Sequence, residues 1–261
     1  MSHPLVSLVC PTYNRSNYLC TAIRCFTQQT YHHLELIIVD DSEDLSTTYI
    51  PAEGRIRYIR LNKRTPTGTK RNIGAEAANG DIVASLDDDD WSSPFRIEDQ
   101  VQRLLKSSKA VTGYNISIVY DEATKLFYKL PGGPPYFASG SSQCYFKSWW
   151  QWHQYPDVSL GEDSVFSRTA RLADQLAIAD PGRMMVIRRH ASNTSPVQIS
   201  KYPRVCPTDI CPEFFRAIEN PQQTLGYIQE AHIADFKDAQ MQFQKPTVEY
   251  KIDRLPEVET R

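Results

Sequence analysis

Residues 5–41 read LVSLVCPTYNRSNYLCTAIRCFTQQTYHHLELIIVDD, and the order of apolar positions in them decides the fold. Leu5 to Cys10 is a short apolar run closed by Pro11, and Leu34 to Val39 is a second one closed by Asp40 and Asp41. Both have the length and composition of strands buried on two faces. Between them Leu19, Ala22, Ile23 and Phe26 recur at helical spacing, with Ser16 or Asn17 as a candidate N-cap. Strand, helix and strand in this order predict a parallel crossover unit.

The pattern repeats downstream. Ile56 to Leu61 reads as a strand, Thr69 to Ala78 as a helix ending near Asn79-Gly80, and Asp81 to Leu86 as a strand that runs into Asp87-Asp88-Asp89-Asp90. Pro94 then opens a helix through Leu105. Such alternation predicts a doubly wound α/β sheet, whose ligands bind beyond the carboxyl ends of the strands. The site is therefore expected at Pro11 to Arg15, Asp40-Asp41 and Asp87 to Asp90. After Ser108 the order is less legible: a strand-like Ala110 to Tyr120, a turn-rich Pro131 to Pro135, a helix from Asp163 to Leu172 and a strand from Met184 to Arg189. Pro203, Pro207 and Pro212 precede a polar, helix-like tail from Glu213 to about Gln242. The expected division is a main α/β domain over 1–200 and a helical extension over 201–261 packed on it.

The chain has 261 residues with a formal net charge of -2, so it carries no broad basic surface of the kind that binds nucleic acid. Lys63, Arg64, Lys70 and Arg71 are a candidate local basic patch. The first residues read as a strand and turn, not as a signal peptide, and no run reaches the length of a membrane helix, which predicts a cytoplasmic enzyme. The cysteines, Cys10, Cys20, Cys25, Cys144, Cys206 and Cys211, have no metal-type spacing and are expected to be reduced thiols.

The aspartate run carries the chemistry. Adjacent carboxylates repel by a few kcal/mol each at an effective dielectric near ~20 unless water or a cation relieves them. Oxygen-rich clusters suit Mg²⁺ or Mn²⁺, which bind one or two carboxylates together with substrate phosphates. The alternative is a solvated acidic turn. Thr67-Gly68-Thr69-Lys70-Arg71-Asn72 opens a helix, so its free amides and two cations point to donor phosphates or a sugar, or else form a surface pair with Asn72 capping locally. Trp149, Trp150 and Trp152, with Phe146 and Tyr155, are an aromatic block suited to stacking on a sugar, to a membrane surface or to core packing.

Val9-Cys10-Pro11-Thr12-Tyr13-Asn14-Arg15, Val39-Asp40-Asp41-Ser42 and Leu86 to Trp91 resemble the successive motifs of family 2 glycosyltransferases in order and separation. The resemblance covers roughly residues 4 to 195. It implies a GT-A fold, Rossmann-like with a mostly parallel central sheet, a nucleoside-diphosphate sugar donor with UDP-sugar favoured, a divalent cation and inversion at the anomeric carbon. By the same resemblance Pro11, Thr12, Tyr13 and Arg15 lie against the nucleotide, and Asp41 accepts a hydrogen bond from the base. Lys70 and Arg71 border the donor site. Asp87, Asp88 and Asp89 match the Asp-x-Asp motif, with Asp89 as metal ligand and Asp87 or Asp88 nearer the ribose or sugar.

Gly161-Glu162-Asp163 resembles the acidic pair in which one carboxylate is the general base, here Asp163; its structural alternative is the N-cap of the following helix. His190, in Arg188-Arg189-His190-Ala191-Ser192-Asn193-Thr194-Ser195, resembles the late histidine that reaches the metal or diphosphate, or is a packing residue. Competing functions are nucleotidyl transfer, which calls for a glycine-rich basic loop after the first strand, and a catalytically silent nucleotide-sugar binding module. The acceptor and the oligomeric state have no signature in the sequence.

Overall fold

The computed structural model of the protein describes residues 3–43, 50, 54–115, 117–130, 137–180, 184–194, 199 and 203–205. In chain order the elements are β1 (Val6–Thr12), α1 (Ser16–Thr27), β2 (Leu34–Asp40), β3 (Ile56–Arg60), α2 (Thr67–Ala77), β4 (Ile82–Ser85), β5 (Trp91–Ser92) and α3 (Arg96–Ser107). They continue as β6 (Val111–Tyr114), β7 (Ser117–Asp121), β8 (Leu126–Leu130), β9 (Cys144–Phe146), α4 (Lys147–Trp150), α5 (Glu162–Leu172), β10 (Leu176–Ala179), β11 (Met185–Arg189) and β12 (Arg204–Val205).

The central sheet runs β10-β6-β9-β4-β1-β2-β3. β1 pairs in parallel with β2 and β4, β2 with β3, and β10 with β6; only β9 is antiparallel, wedged between β4 and β6. Every residue of β2 is buried, which is why Leu34–Asp40 reads as a continuous apolar run instead of an alternating one. Pro11 does not end β1. The Val9 carbonyl accepts from the Leu86 amide, so Pro11, two residues on, turns its missing N–H toward the same neighbour, β4, whose pairing with β1 has already stopped at Val9–Ser85.

The helices pack by two different means. On α1, Leu19, Ala22, Ile23 and Phe26 are buried as the spacing predicts; the N-cap position, however, falls on Arg15, and Ser16 is already helical. On α2 the buried face is Gly68, Lys70, Arg71, Gly74 and Ala75. A Cβ at Gly74 would come 2.3 Å from Cγ1 of Val9, so the glycine brings this helix against β1 and carries its two cations to the sheet edge.

The sequence gives no sign of a second sheet, ordered β12-β8-β7-β11-β5. The expected strand from Ala110 to Tyr120 is in fact two: β6 joins the central sheet and β7 the second one. β5 follows the aspartates directly and pairs with β11 through Trp91–Val186, so the acidic run bridges the two sheets. β12, past residue 200, pairs with β8. The expected turn at 131–135, the tail helix and Cys206 and Cys211 lie outside the described residues. Among the described residues no helix is long and apolar enough to cross a membrane.

Candidate active site

Because β1, β2 and β4 are parallel, the loops beginning at Tyr13, Asp41 and Leu86 leave the sheet at one edge. The aspartate run is drawn onto the β1 loop: Thr12 Oγ1 donates to Asp88 Oδ2 at 2.7 Å, and Arg15 Nη1 lies 3.1 Å from Asp88 Oδ1 and 2.9 Å from Asp89 Oδ2. Burial and the Asp89 charge, opposed by Arg15 and Thr12, push the Asp88 carboxyl up to about 7. Asp90 is buried too, accepts the Arg188 amide at 3.0 Å, and is raised well above the usual carboxylate range by burial and by Asp89 and Asp87. The solvated acidic turn is thereby excluded, since Asp88, Asp89 and Asp90 are all buried.

Asp40 and Asp41 have different surroundings. Asp40 Oδ1 takes the Ser42 amide at 2.7 Å and Oδ2 takes the Tyr58 hydroxyl at 2.8 Å, a turn-forming role. Asp41, its side chain fully covered, accepts Lys70 Nζ at 2.8 Å on Oδ1, and Arg64 Nη1 at 2.7 Å with the Thr65 amide at 2.6 Å on Oδ2. Burial acts to raise its pKa, but the bonds from Lys70, Thr65 and Arg64 outweigh it and hold the carboxyl below its ordinary value. Lys70 is buried as well and donates to the Thr12 carbonyl at 2.9 Å. Tyr13 lies under Arg64, whose Cζ is 3.6 Å from the ring centroid.

Arg71 links the aspartates to the start of α5. Its Nη2 donates to Asp87 Oδ1 at 2.9 Å and its Nε to Glu162 Oε1 at 3.4 Å, while the buried Nη1 has no partner among the described residues. Burial raises the Glu162 carboxyl against the pull of Arg71. Asp163 is not the N-cap, a position held by Gly161 at φ 83°; it is the second residue of α5. Its Oδ1 accepts the Ser164 amide at 2.7 Å. A Cβ at Gly140 would stand 2.7 Å from its Oδ2, so the carboxylate rests on bare backbone. Beneath it Gln143 Nε2 holds the Asp163 carbonyl at 2.8 Å and Ser167 Oγ at 2.7 Å, and Gln143 Oε1 accepts from Tyr155 at 2.8 Å.

His190 reaches the same cluster from the end of β11. Nε2 is 3.0 Å from Asp89 Oδ2, the ring stacks on Tyr18 at 4.2 Å, and Asn193 Nδ2 donates to the same Asp89 oxygen at 3.2 Å. The Ser192 amide donates to Nδ1 at 3.2 Å, which leaves the ring proton on Nε2, directed at Asp89. Ligation of a metal through Nε2 requires that proton on Nδ1, where Ser192 Oγ stands 2.9 Å away to accept it. Arg15 Nη2 ties the segment down through the Ser192 carbonyl.

Several expectations change here. The amides that open α2 are not free for phosphates: Gly68 N–H donates to the Val158 carbonyl at 2.9 Å and Thr67 N–H to Ser159 Oγ at 3.3 Å. Lys70 and Arg71 are buried ion pairs, not part of a surface patch, because the glycine face of α2 turns them inward. Asn72 does not cap locally; its Oδ1 accepts Trp150 Nε1 and the Tyr155 amide. The aromatic block is mainly packing: Trp150 and Tyr155 are buried, Trp149 stacks on His153, and Trp152 is 85% exposed. Sequence reasoning missed the parts played by Arg64, Gly140, Gln143 and Asn193. Only the Ser139-Gly140-Ser141-Ser142 turn composition marks one of them.

Residues 7–193 match the family model described as Glycosyl transferase family 2. Among curated proteins, the glycosyltransferase GlyG of Streptococcus pneumoniae serotype 4 is 30% identical over 48% of this chain and 42% of its own length. An uncharacterized glycosyltransferase of Haemophilus influenzae is 31% identical over 44% of this chain and 48% of its own. The matches thus span about half or less of these relatives. Among solved structures, residues 1–349 of S. aureus TarS in complex with UDP-GlcNAc superpose with a TM-score of 0.58 at 15% identity, over 74% of this chain and 62% of that one. The shared architecture is the GT-A fold.

Proposed function

The chain belongs to glycosyl transferase family 2, and from that premise we propose that it moves a sugar from a nucleoside-diphosphate sugar, a UDP-sugar first, to an acceptor hydroxyl with inversion. The observation that carries the reading is Arg71: a buried guanidinium, clamped between Asp87 and Glu162, with Nη1 unpartnered among the described residues. A buried donor without an acceptor costs about 1–3 kcal/mol, and a donor-sugar oxygen placed there removes that cost. The UDP-GlcNAc complex of TarS supports the choice of nucleotide.

In this reading Pro11, Thr12, Tyr13 and Asp41 face the nucleoside, Arg15, Lys70 and Arg71 balance the acidic edge, and Asp87 and Asp88 face the ribose or sugar. A divalent cation, Mn²⁺ or Mg²⁺, fits as a sparsely held ion. Among the described residues no three His, Cys, Asp or Glu side chains gather as a ligand set, so Asp89 and His190 would hold it with donor phosphates and water, the usual manner of these ions. When bound it supplies charge neutralisation for the departing diphosphate. Asp163 takes the acceptor proton as the hydroxyl attacks the anomeric carbon on the face opposite the leaving group. The anomeric carbon–oxygen bond to the diphosphate breaks as the new glycosidic bond forms. Thermal shift with UDP-, GDP-, dTDP- and CMP-sugars, each with and without Mn²⁺, tests this. A ligand at ~100 times its dissociation constant stabilises by roughly 2.7 kcal/mol; no shift with any donor under either condition defeats the reading.

A further inference from the structure

Arg64, in the loop between β3 and α2, has a side chain 54% exposed and yet covers the fully buried Asp41 carboxylate. Its Nη1 donates to Asp41 Oδ2 at 2.7 Å and its guanidinium carbon lies 3.6 Å from the Tyr13 ring centroid. Asp41 Oδ2 also takes the Thr65 amide at 2.6 Å, so both in-plane acceptor sites of that oxygen are used. Oδ1 faces the buried Lys70 at 2.8 Å. No base N–H reaches this carboxylate, whose side chain is fully covered, while Arg64 stays.

What Arg64 does here is what a nucleobase would do: a flat, delocalised group donates an N–H to Asp41 and lays its face near Tyr13. We propose that Arg64 is a placeholder for the nucleobase, closing the base site until a base displaces it, and so a specificity-determining residue for the donor. The inference rests on the reading of Asp41 as the base acceptor. A base succeeds when it restores the hydrogen bond that Arg64 gives up, most directly through a ring N–H. Uracil, thymine and guanine have one. Cytosine has none and can donate only through its exocyclic amine, which lies farther along the base edge and calls for a different seat beside Tyr13. Arg64 is exposed enough to swing into water without unpacking the core.

Calorimetric titration of UDP, dTDP, GDP and CDP, at fixed Mn²⁺, into the wild-type full chain, Arg64→Ala and Asp41→Asn tests this, with pyrophosphate as the ligand that lacks a base. Freed of its internal competitor, Arg64→Ala should bind the ring N–H nucleotide preferred by the wild type on the order of tenfold tighter, because apparent affinity scales with the fraction of open sites. Pyrophosphate should bind it no tighter, since a positive charge has been lost. Arg64→Lys, which keeps the charge without the flat face, should fall between. Unchanged or weaker nucleotide binding by Arg64→Ala overturns the placeholder, as does an equal gain for pyrophosphate. Wild-type affinity in Asp41→Asn would instead remove Asp41 as the base acceptor, a failure of the underlying reading that the Arg64 arm does not produce.

Discussion

Arg15 places Nη1 2.9 Å from Oδ2 of Asp89, on the same oxygen that receives His190 Nε2 and Asn193 Nδ2. One carboxylate oxygen thus joins the loop after β1, the acidic run after β4 and the segment after β11. The other oxygen of Asp89 has no partner among the described residues, and a cation arriving with the donor has this free position to take. Asp89→Ala should abolish Mn²⁺-dependent donor binding, read by titrating UDP-sugar with and without the metal. Full wild-type activity in excess chelator would end the case for a cation.

Asp41 is tied more deeply into the fold than a base-reading residue in an open loop would be. Removing it leaves Lys70 buried with the Thr12 carbonyl as its remaining acceptor, and breaking a buried pair from one side costs about 3–5 kcal/mol. With Lys70 buried behind Asp41, denaturant unfolding of Asp41→Ala should show a loss of that order. Asp41→Asn, which keeps the shape, should lose less.

The same contacts set a pH dependence. Asp41 has a folded pKa below its ordinary 3.8, so its contribution to stability is present above the unfolded pKa and disappears as pH falls through the folded one. The stability gap between wild type and Asp41→Asn should therefore be constant near neutrality and close in acid below about pH 4. A gap that stays constant down to pH 2 would mean that the charge of Asp41 contributes nothing to folding.

Gly140 offers a test on the acceptor side. With a Cβ 2.7 Å from Asp163 Oδ2 and 2.9 Å from its Cβ, Gly140→Ala must push the Asp163 side chain off its seat. If Asp163 acts on the acceptor, kcat should fall at least about tenfold, in keeping with the sensitivity of proton transfer to small misplacements, while donor affinity holds. Equal losses in both would point to general unfolding of the turn.

What could be read from the sequence and what could not follow from the range of the interactions. The runs Leu5 to Cys10 and Leu34 to Val39 and the helical spacing of Leu19 to Phe26 are local signals, and they place the ligand edge with Asp41 and Asp87 to Asp90 on it. Cys144–Phe146 is three residues long and enters the sheet by pairing with strands some sixty and thirty residues earlier, for which no periodicity exists. Arg64 reads as part of a local basic patch, and Arg15 as a nucleotide contact by resemblance, because nothing local shows that Asp41 and Asp89 wait for them. Gly140 looks like any turn glycine until α5 is laid over it.

Variants of the adjacent acids Glu162 and Asp163 test donor binding and chemistry separately. Glu162 is buried against Arg71, whose Nε faces it and whose Nη2 holds Asp87, so Glu162→Gln changes the charge balance on the donor side and should act on donor affinity. Asp163 is less covered and rests over Gly140. In Asp163→Asn the amide oxygen can still accept the Ser164 N–H that Oδ1 now takes at 2.7 Å, so the start of α5 should keep its stability. What asparagine cannot do is take a proton. A general base contributes about 10²- to 10⁴-fold, and Asp163→Asn should lose that much turnover at saturating donor while UDP-sugar affinity stays within about twofold of wild type, well inside the effect of a single lost hydrogen bond. Rapid-quench turnover and calorimetry on the same preparations read the two quantities separately. Wild-type turnover in Asp163→Asn would remove it from the mechanism, and a turnover loss confined to Glu162→Gln, with donor affinity intact, would move the base by one residue.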